Sequence, residues 1–427
     1  MRKLNIIYKI WIILYLFTVL FCPPILPFNT IFITASFALV WLGLNGEKSA
    51  KLPLNLLFFL IYVIEIILIN SLLDSRELVT DNRLRVVYQI FIMMPMQFIC
   101  AEYVTESTRK KGIQTEGILK LLIASGLIEV LFVILAFVNP ALRRLFLSSI
   151  IKRGGIQRVY ANDNVLNYRA YGWADTLLDT FGYGMGSFAG LCLLYKGIGK
   201  CRYFYMFLFL FATAVNSRTG FAIFLVAVCI FLISQLRKGN LTAIAKVLLV
   251  ALSIIIIISI SIGMGLIGTS TLSWITTGFE SVVNAITGRE VAYQVGSLQN
   301  SMFNERFWKL PDNLMGFLFG TGHSIFAAGS YLGVSSDVGY VNYIWICGFF
   351  GTVIALHIIA KWFGNGIKKT TDPNLKTVRI FLCMSFFLMF IKGNVLTHTV
   401  GTFFAILVMT IKNEDTVSVS NIPDYLK

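Results

Sequence analysis

The chain has 427 residues, of which 57% are hydrophobic and only 13% are charged, and its formal net charge at pH 7 is +15. Soluble domains carry about 25% charged and about 45–50% apolar residues, so this composition excludes an ordinary soluble fold. The lysines and arginines lie in short stretches between apolar runs rather than on one basic face, which argues against nucleic acid as a partner. We therefore expect an all-α, polytopic integral membrane protein with a single transmembrane domain over residues 1–427.

Apolar runs follow one another along the chain, and each is long enough to cross a hydrocarbon core of about 30 Å as a helix. The first run follows basic residues, like a signal peptide. It lacks a small-residue cleavage site, so we expect it to be retained as a helix. The sequence predicts about 12 transmembrane helices, at 7–22, 29–45, 53–72, 84–104, 117–138, 176–195, 202–216, 219–235, 243–267, 338–361, 377–393 and 397–412.

Basic residues indicate how these helices are oriented. With a cytoplasmic N-terminus, every connection predicted to lie inside contains lysine or arginine, as the positive-inside rule requires. In chain order their basic residues are Lys48 and Lys51; Arg109, Lys110 and Lys111; Lys196, Lys200 and Arg202; Arg237, Lys238 and Lys246; and Lys361, Lys368, Lys369, Lys376 and Arg379. The alternation continues to the end of the chain, so we expect both termini in the cytoplasm.

Two long segments are predicted to lie outside, as periplasmic loops. The first, 139–175, is strongly basic, which opposes the orientation rule. Either long loops are translocated regardless of charge, or the guanidinium groups bind an anionic ligand such as a phosphate. Its charged residues are Arg143, Arg144, Lys152, Arg153, Arg158 and Arg169, against Asp163 and Asp175.

The second loop, 268–337, has mixed charge and contains Phe303, Trp274 and Trp308. Loops of this length often form lids or binding surfaces. Aromatic rings stack on the apolar faces of sugars, and carboxylates accept hydrogen bonds from sugar hydroxyls. The composition of this loop is therefore compatible with a glycan ligand.

Several short motifs lie at predicted outer ends of helices. The turn Asn216-Ser217-Arg218-Thr219-Gly220 places one arginine between two spans, where it either reaches a lipid headgroup or anchors the helix by snorkelling. The other motifs are Arg169-Ala170-Tyr171-Gly172, Gly288-Arg289, Phe319-Gly320-Thr321-Gly322, Ser335-Ser336-Asp337-Val338-Gly339-Tyr340 and Gly348-Phe349-Phe350-Gly351.

This ordered set, over roughly residues 165–355, resembles the O-antigen polymerase (Wzy-type) and O-antigen ligase superfamily. The resemblance implies a GT-C-like glycosyltransferase of the bacterial inner membrane that works at the periplasmic face without a metal or other cofactor. It implies undecaprenyl-diphosphate-linked glycans as donor and acceptor, membrane lipid around the protein, and a chain-length regulator protein as a partner.

The resemblance also assigns roles to individual arginines. Ser217-Arg218-Thr219-Gly220 matches the family's Ser-Arg-x-Gly element, which makes Arg218 the first candidate for contact with the diphosphate. Arg169 matches an Arg-x-x-Gly element before a span, and Arg289 matches an arginine in the long periplasmic loop. Arg158 and Arg306 are further candidates for binding the diphosphate or the glycan.

Two residues are candidates for acid/base work. Ligases of the superfamily carry a His-Asn pair before the tenth span, whereas this chain has Ser336-Asp337, as polymerases often do. Asp337 is therefore either a carboxylate that orients or deprotonates the acceptor hydroxyl or the N-cap of the following helix. His323 is a second acid/base candidate or, alternatively, a solvated turn residue. The cysteines and histidines show no metal-site spacing.

We expect a polysaccharide polymerase that joins lipid-linked repeat units into O-antigen or a related surface polysaccharide. One alternative is an O-antigen ligase, which would transfer the lipid-linked glycan to lipid A core. The other is a multispan transporter or flippase, since an even number of spans fits that class equally well. Transporters tend to show internal repeats, and no half-to-half repeat is evident in this sequence.

Overall fold

A computed structural model describes residues 2–26, 28–46, 54–73, 86–152, 170, 172–175, 179–217, 219–240, 305–325, 334, 336, 338–393, 395, 397 and 399–412, with isolated helical positions between 242 and 256. The structure is 79% helical, and no strand occurs among these residues.

The helices are numbered in chain order, and a π-helical turn, Tyr88–Met93, leads into the fourth. They are α1 Arg2–Phe21, α2 Ile31–Leu44, α3 Leu54–Leu73, α4 Met94–Lys110, α5 Thr115–Val138, α6 Pro140–Lys152, α7 Asp179–Leu194, α8 Arg202–Ala214, α9 Thr219–Leu236, α10 Leu314–Phe319, α11 Gly339–Lys368, α12 Pro373–Met389 and α13 Val400–Thr410.

Helices occupy every predicted span except the ninth, 243–267, most of which lies outside the described residues. Among the described residues, α5, α9 and α11 are long and apolar enough to cross a membrane, and several shorter helices are also apolar. The prediction of a helical chain built from apolar helices is thus confirmed. The full set of 12 spans and the GT-C-like fold stay predictions.

The outward-facing side chains also fit a membrane environment. Large apolar residues are exposed along whole helices, for example Ile7 and Ile10 on α1, Phe58 on α3 and Leu225 on α9. Contiguous apolar surfaces of this extent are rare on soluble monomers and are typical of helices that face lipid.

The basic segment 139–175 is partly helical rather than a simple loop. Helix α6 begins at Pro140, and the side chain of Asn139 accepts a hydrogen bond from Ala141 N at 2.9 Å. Arg143 Nε donates to the carbonyl oxygen of Ala136, near the end of α5, at 3.2 Å. Burial and the neighbouring Arg144 lower the pKa of Arg143. At least one of the basic residues of this segment therefore stabilises a helix end.

Helix α7 lies at the centre of the bundle, and its residues 181–194 are all buried. The ring of Phe188 contacts three other helices: its centroid is 6.4 Å from that of Phe21, 4.8 Å from that of Phe209 and 4.9 Å from that of Phe404. Such ring pairs stabilise a core beyond the area that they bury.

Glycines on one face of α7 allow this close packing. Gly182, Gly186 and Gly190 are four residues apart and therefore lie on the same face. A Cβ at Gly186 would lie 2.9 Å from the Cβ of Ile223, and one at Gly190 would lie 3.1 Å from the Cβ of Ala227, both on α9. Small residues at this spacing let membrane helices approach closely, so α7 and α9 pack almost backbone to backbone.

The ends predicted to be cytoplasmic meet one another. Lys412, just after α13, forms an ion pair with Glu106 near the end of α4, and Arg109 pairs with the same carboxylate. Burial by itself raises the pKa of Glu106, but the two cations outweigh it, so the net pKa lies below the ordinary value. Lys110 Nζ also donates to Asn45 Oδ1, after α2, at 3.2 Å.

Arg379, which the sequence analysis counts among the basic residues of the last inside connection, is buried and holds helix ends together. Its guanidinium donates to the carbonyl oxygens of Val408 at 3.1 Å and Gly366 at 2.9 Å, and also to that of Ile411. The last carbonyls of a helix have no partner within the helix, so Arg379 satisfies the end of α13 and ties it to α11 and α12.

Replacing Arg379 with methionine is expected to lower the free energy of unfolding by about 2–4 kcal/mol, because several buried carbonyls lose their donor. Lys376 is exposed on the same helix, and Lys376→Met, which removes the same charge, is expected to change it by less than about 0.5 kcal/mol. Thermal unfolding of the two purified variants in one detergent measures both. Equal midpoints would show that the hydrogen bonds of Arg379 contribute nothing.

Candidate functional site

The turn that carries Arg218 is fixed on both sides. Helix α8 ends at Ala214 and α9 begins at Thr219, and Ser217 N donates to the carbonyl oxygen of Thr213 at 2.8 Å. Ser217 is buried against α7, where a Cβ at Gly182 would lie only 2.5 Å from its hydroxyl oxygen. Arg218 itself lies outside the described residues, but its supports are rigid elements of the core.

The segment that follows Arg169 lies directly beside this turn. Asn216, which is fully buried, donates through Nδ2 to the carbonyl oxygen of Ala170 at 3.0 Å. Further along, Asp175 N donates to the carbonyl oxygen of Phe21 at 2.9 Å, so the segment is also tied to the end of α1. Residues 170 and 172–175 are therefore held between α1 and the turn after α8. We call this the 170–175 segment.

A buried carboxyl group lies under the same segment. Glu129, in the middle of α5, has no exposed surface, and a Cβ at Gly172 would lie 2.8 Å from its carboxyl carbon. The backbone N–H groups of Trp173 and Ala174 face this carboxyl group, although neither makes a hydrogen bond of good geometry. The Trp173 ring lies 5.3 Å from that of Phe132, one turn further along α5. The contact between Gly172 and Glu129 therefore limits how closely the 170–175 segment approaches α5.

Gly172→Ala is expected to destabilise the fold by about 1–3 kcal/mol, because the added methyl group overlaps the carboxyl group of Glu129. The penalty should shrink in a Glu129→Ala background, where that space is open, with a coupling free energy of about 0.5–3 kcal/mol. Thermal unfolding of the wild type, the two single variants and the double variant completes the cycle. Strictly additive penalties would mean that the two residues are not in contact.

A second cluster forms around a break in α11. Gly348 has φ of 72° and ψ of 176°, a conformation that an L-residue with a Cβ rarely adopts, so the helix is interrupted there. The break frees carbonyl groups that would otherwise accept hydrogen bonds within the helix. Thr321 N donates to the carbonyl oxygen of Trp345 at 2.7 Å, Gly322 N to that of Ile346 at 3.0 Å, and the Tyr62 hydroxyl to that of Cys347 at 3.1 Å.

The loop that satisfies these carbonyls continues into His323. His323 is fully buried, so the alternative of a solvated turn residue is wrong. The next two residues are fixed to α11: the Ser324 hydroxyl and Ile325 N donate to Asn342 Oδ1 at 3.1 Å and 2.8 Å. Ser336 N in turn donates to the carbonyl oxygen of Ile325 at 2.9 Å, which brings the residue before Asp337 to the loop that carries His323.

The structure also tests the N-cap alternative for Asp337. The N-cap position of α11 is Val338, and the hydroxyl of Ser336 accepts a hydrogen bond from Val338 N at 3.1 Å. The N-cap interpretation of Asp337 is thus wrong by one residue, and Ser336 supplies the side-chain oxygen near the helix start.

Several helix ends near the two clusters lie close to one another. Tyr340 N, at the start of α11, donates to the carbonyl oxygen of Phe390, just after α12, at 3.2 Å. Val400, at the start of α13, lies against Gly184 of α7, two residues from Gly182, which contacts Ser217. The ends of α7, α11, α12 and α13 that are predicted to lie outside are therefore neighbours.

Most of the predicted site residues themselves lie outside the described residues, namely Asp337, Arg218, Arg289, Arg169 and Arg158. Arg306 belongs to a 3₁₀-helix, Glu305–Trp308, and its side chain is not described. His323 is described and buried. The structure thus brings the neighbours of Arg169 and Arg218 together, and separately those of His323 and Asp337.

Two residues of this region were not predicted as parts of the site. In the sequence Asn216 only begins a motif and Asn342 belongs to none, yet each holds two segments together. A single asparagine in an apolar run is the signal that would have identified Asn342, because an unsatisfied amide is costly there. No group of histidine, cysteine and acidic residues among the described residues is arranged to hold a metal ion.

Compared with known proteins, the chain matches no protein-family model, and no curated protein matches it significantly.

Proposed function

We propose that the chain is a membrane glycosyltransferase that polymerises undecaprenyl-diphosphate-linked repeat units into O-antigen or a related surface polysaccharide. In this proposal it is a GT-C-like protein of about 12 spans in the bacterial inner membrane, with both termini in the cytoplasm and the site facing the periplasm. The observation that carries the proposal is the hydrogen bond from Asn216 to the carbonyl oxygen of Ala170. It joins the two segments in which the arginines of the Arg-x-x-Gly and Ser-Arg-x-Gly motifs stand.

Elongation is a substitution at an anomeric carbon. A hydroxyl oxygen of one lipid-linked unit forms a bond to the anomeric carbon of the other glycan, and the bond from that carbon to the diphosphate oxygen breaks. The bonding electrons leave with the polyprenyl diphosphate. Arg169 and Arg218, with Arg289, Arg158 and Arg306 as further contacts, stabilise the charge that develops on this leaving group.

The attacking hydroxyl must lose its proton during the reaction. Asp337 accepts it or orients the hydroxyl, and His323 is the second acid/base group. A nearby carboxylate favours the charged form of an imidazole, and burial opposes it. The hydrogen bond from Ser336 to Ile325 supports a joint role, since it fixes the two segments to each other.

An O-antigen ligase is the second candidate, and one observation favours it. His323 is buried beside the segment before α11. In ligases of the superfamily, the proposed base is a histidine just before the corresponding span. A ligase would use the same donor but transfer it to lipid A core.

Purified protein, lipid-linked repeat units and lipid A core in one reconstituted reaction distinguish these functions. The proposal expects a ladder of lipid-linked products without lipid A core, and the same ladder in the presence of a chelator. Product attached only to lipid A core would identify a ligase. If no product forms and the lipid-linked unit moves across a vesicle membrane, the protein is a flippase and both enzymatic proposals are refuted.

A further inference from the structure

An apolar surface lies where the sequence predicts a water-exposed loop. Helix α10 lies within the segment predicted as the periplasmic loop 268–337, yet Leu314 is 70% exposed, Met315 is 68% exposed and Phe319 is 41% exposed. Trp308 and Leu310, just before this helix, are exposed as well. We call residues 308–319 the α10 segment.

This apolar surface continues onto α11. The ring of Phe317 stacks on that of Phe349 with centroids 5.8 Å apart, and the ring of Phe319 lies 5.8 Å from that of Phe350. Phe349 and Phe350 are themselves exposed, and so are Val353 and Ile354 on the next turn of α11. The exposed side of the α10 segment therefore merges with the exposed side of a helix long and apolar enough to cross a membrane.

The length of α11 indicates where the α10 segment lies along the membrane normal. Its 30 residues amount to about 45 Å, more than a hydrocarbon core of about 30 Å. Part of α11 therefore extends beyond the hydrocarbon. Phe349 and Phe350 lie in the half of α11 that begins at Gly339, the end predicted to face outside, so the α10 segment beside them lies on the outer side of the bilayer.

The rest of the segment fits a membrane boundary. Lys309, Asp312 and Asn313 are exposed immediately before the apolar helix, so charged and apolar side chains are separated along it. Trp345 Nε1 donates to the carbonyl oxygen of Lys309 at 2.9 Å, which ties the segment to α11. An aromatic and a basic residue beside apolar ones are typical of the interface between water and lipid.

We propose that the α10 segment is inserted into the outer leaflet of the bilayer, with Leu314, Met315 and Phe319 in contact with lipid acyl chains. It thus forms an interfacial element that holds the loop of His323 at the membrane surface. The proposal rests on the membrane character of the chain and not on the polymerase reaction, so either can fail without the other.

Two introduced cysteines with opposite expected environments test this. Leu314→Cys and Asp312→Cys both replace exposed side chains two residues apart, so both variants should fold, which thermal unfolding checks. Each is placed in nanodiscs that hold one copy, with phosphatidylethanolamine and phosphatidylglycerol, and treated with a charged maleimide. Mass spectrometry of each peptide gives its labelling rate. Two native exposed cysteines serve as references, Cys201 in the connection before α8 and Cys229 within α9.

Because hydrocarbon strongly excludes a charged reagent, Leu314→Cys should react more than about tenfold slower than Asp312→Cys. Its rate should resemble that of Cys229, while Asp312→Cys resembles Cys201. A phospholipid with a diazirine in its acyl chain should label residues 314–319 on illumination. Equal maleimide rates at 312 and 314 would overturn the proposal. So would protection that appears only in nanodiscs with two copies, since a second chain would then cover the surface.

Discussion

Arg218→Ala is expected to slow polymerisation in the reconstituted reaction by about two to three orders of magnitude, so that no ladder forms. Removing one preorganised donor to a developing negative charge typically has an effect of this size. The effect depends on a rigid support, and the structure provides one: Asn216 and Ser217 are buried and hydrogen-bonded on one side, and α9 begins on the other. The rate is measured with saturating lipid-linked substrate.

Two further substitutions make this result specific. Arg218→Lys keeps the charge but loses the planar fork, so it should retain part of the activity. Arg237→Ala removes the same charge from the opposite end of α9, where the residue is exposed, and should leave the rate unchanged. Arg169→Ala and Arg289→Ala are expected to resemble Arg218→Ala. Normal ladders from all three arginine variants would refute the assignment of the diphosphate site.

Gly348→Ala is expected to lower the free energy of unfolding by about 3 kcal/mol or more. A backbone with φ of 72° and ψ of 176° is essentially restricted to glycine and costs a residue with a Cβ about 1–3 kcal/mol. The new methyl group would also lie 2.5 Å from the carbonyl carbon of Leu318, so the loop must move. That movement breaks the hydrogen bonds from Thr321 and Gly322 to the freed carbonyls of α11, each of which contributes about 1 kcal/mol.

The same helix offers a matched control. A Cβ added at Gly364 meets no atom within 4 Å, so Gly364→Ala should stabilise α11 by about 0.5–1 kcal/mol through its higher helix propensity. Thermal unfolding in detergent compares the two variants directly. If Gly348→Ala were as stable as Gly364→Ala, the break would not be a structural requirement of the fold.

The helices themselves were predictable because their signal is local. Apolar runs such as 117–138 and 202–216 correspond to α5 and α8 with small shifts at the ends. Local composition alone determines which stretches are apolar enough to form such helices. The very short connection predicted between 202–216 and 219–235 is also present. The helices α6 and α10 were missed because they are short and their sequences mix charged and apolar residues.

The site was predictable only as separate pieces. Motif order indicated Arg169, Arg218, His323 and Asp337, and no local pattern indicates that Ala170 accepts a hydrogen bond from Asn216. The same holds for Glu129, whose contact with Gly172 joins residues far apart in the chain. Such contacts depend on how whole helices pack, and that depends on shape complementarity between surfaces that sequence periodicity does not describe.

The sequence by itself therefore determined that the chain is helical and where most of its apolar helices lie, because hydropathy acts residue by residue. Only the tertiary structure decided that Arg379 is buried and holds helix ends together, that α11 is broken at Gly348, and that His323 is buried. Each of these depends on a partner distant in sequence: the end of α13, the 320–322 loop and α11. A polar group in an apolar interior must find such a partner, and the fold alone determines which one it finds.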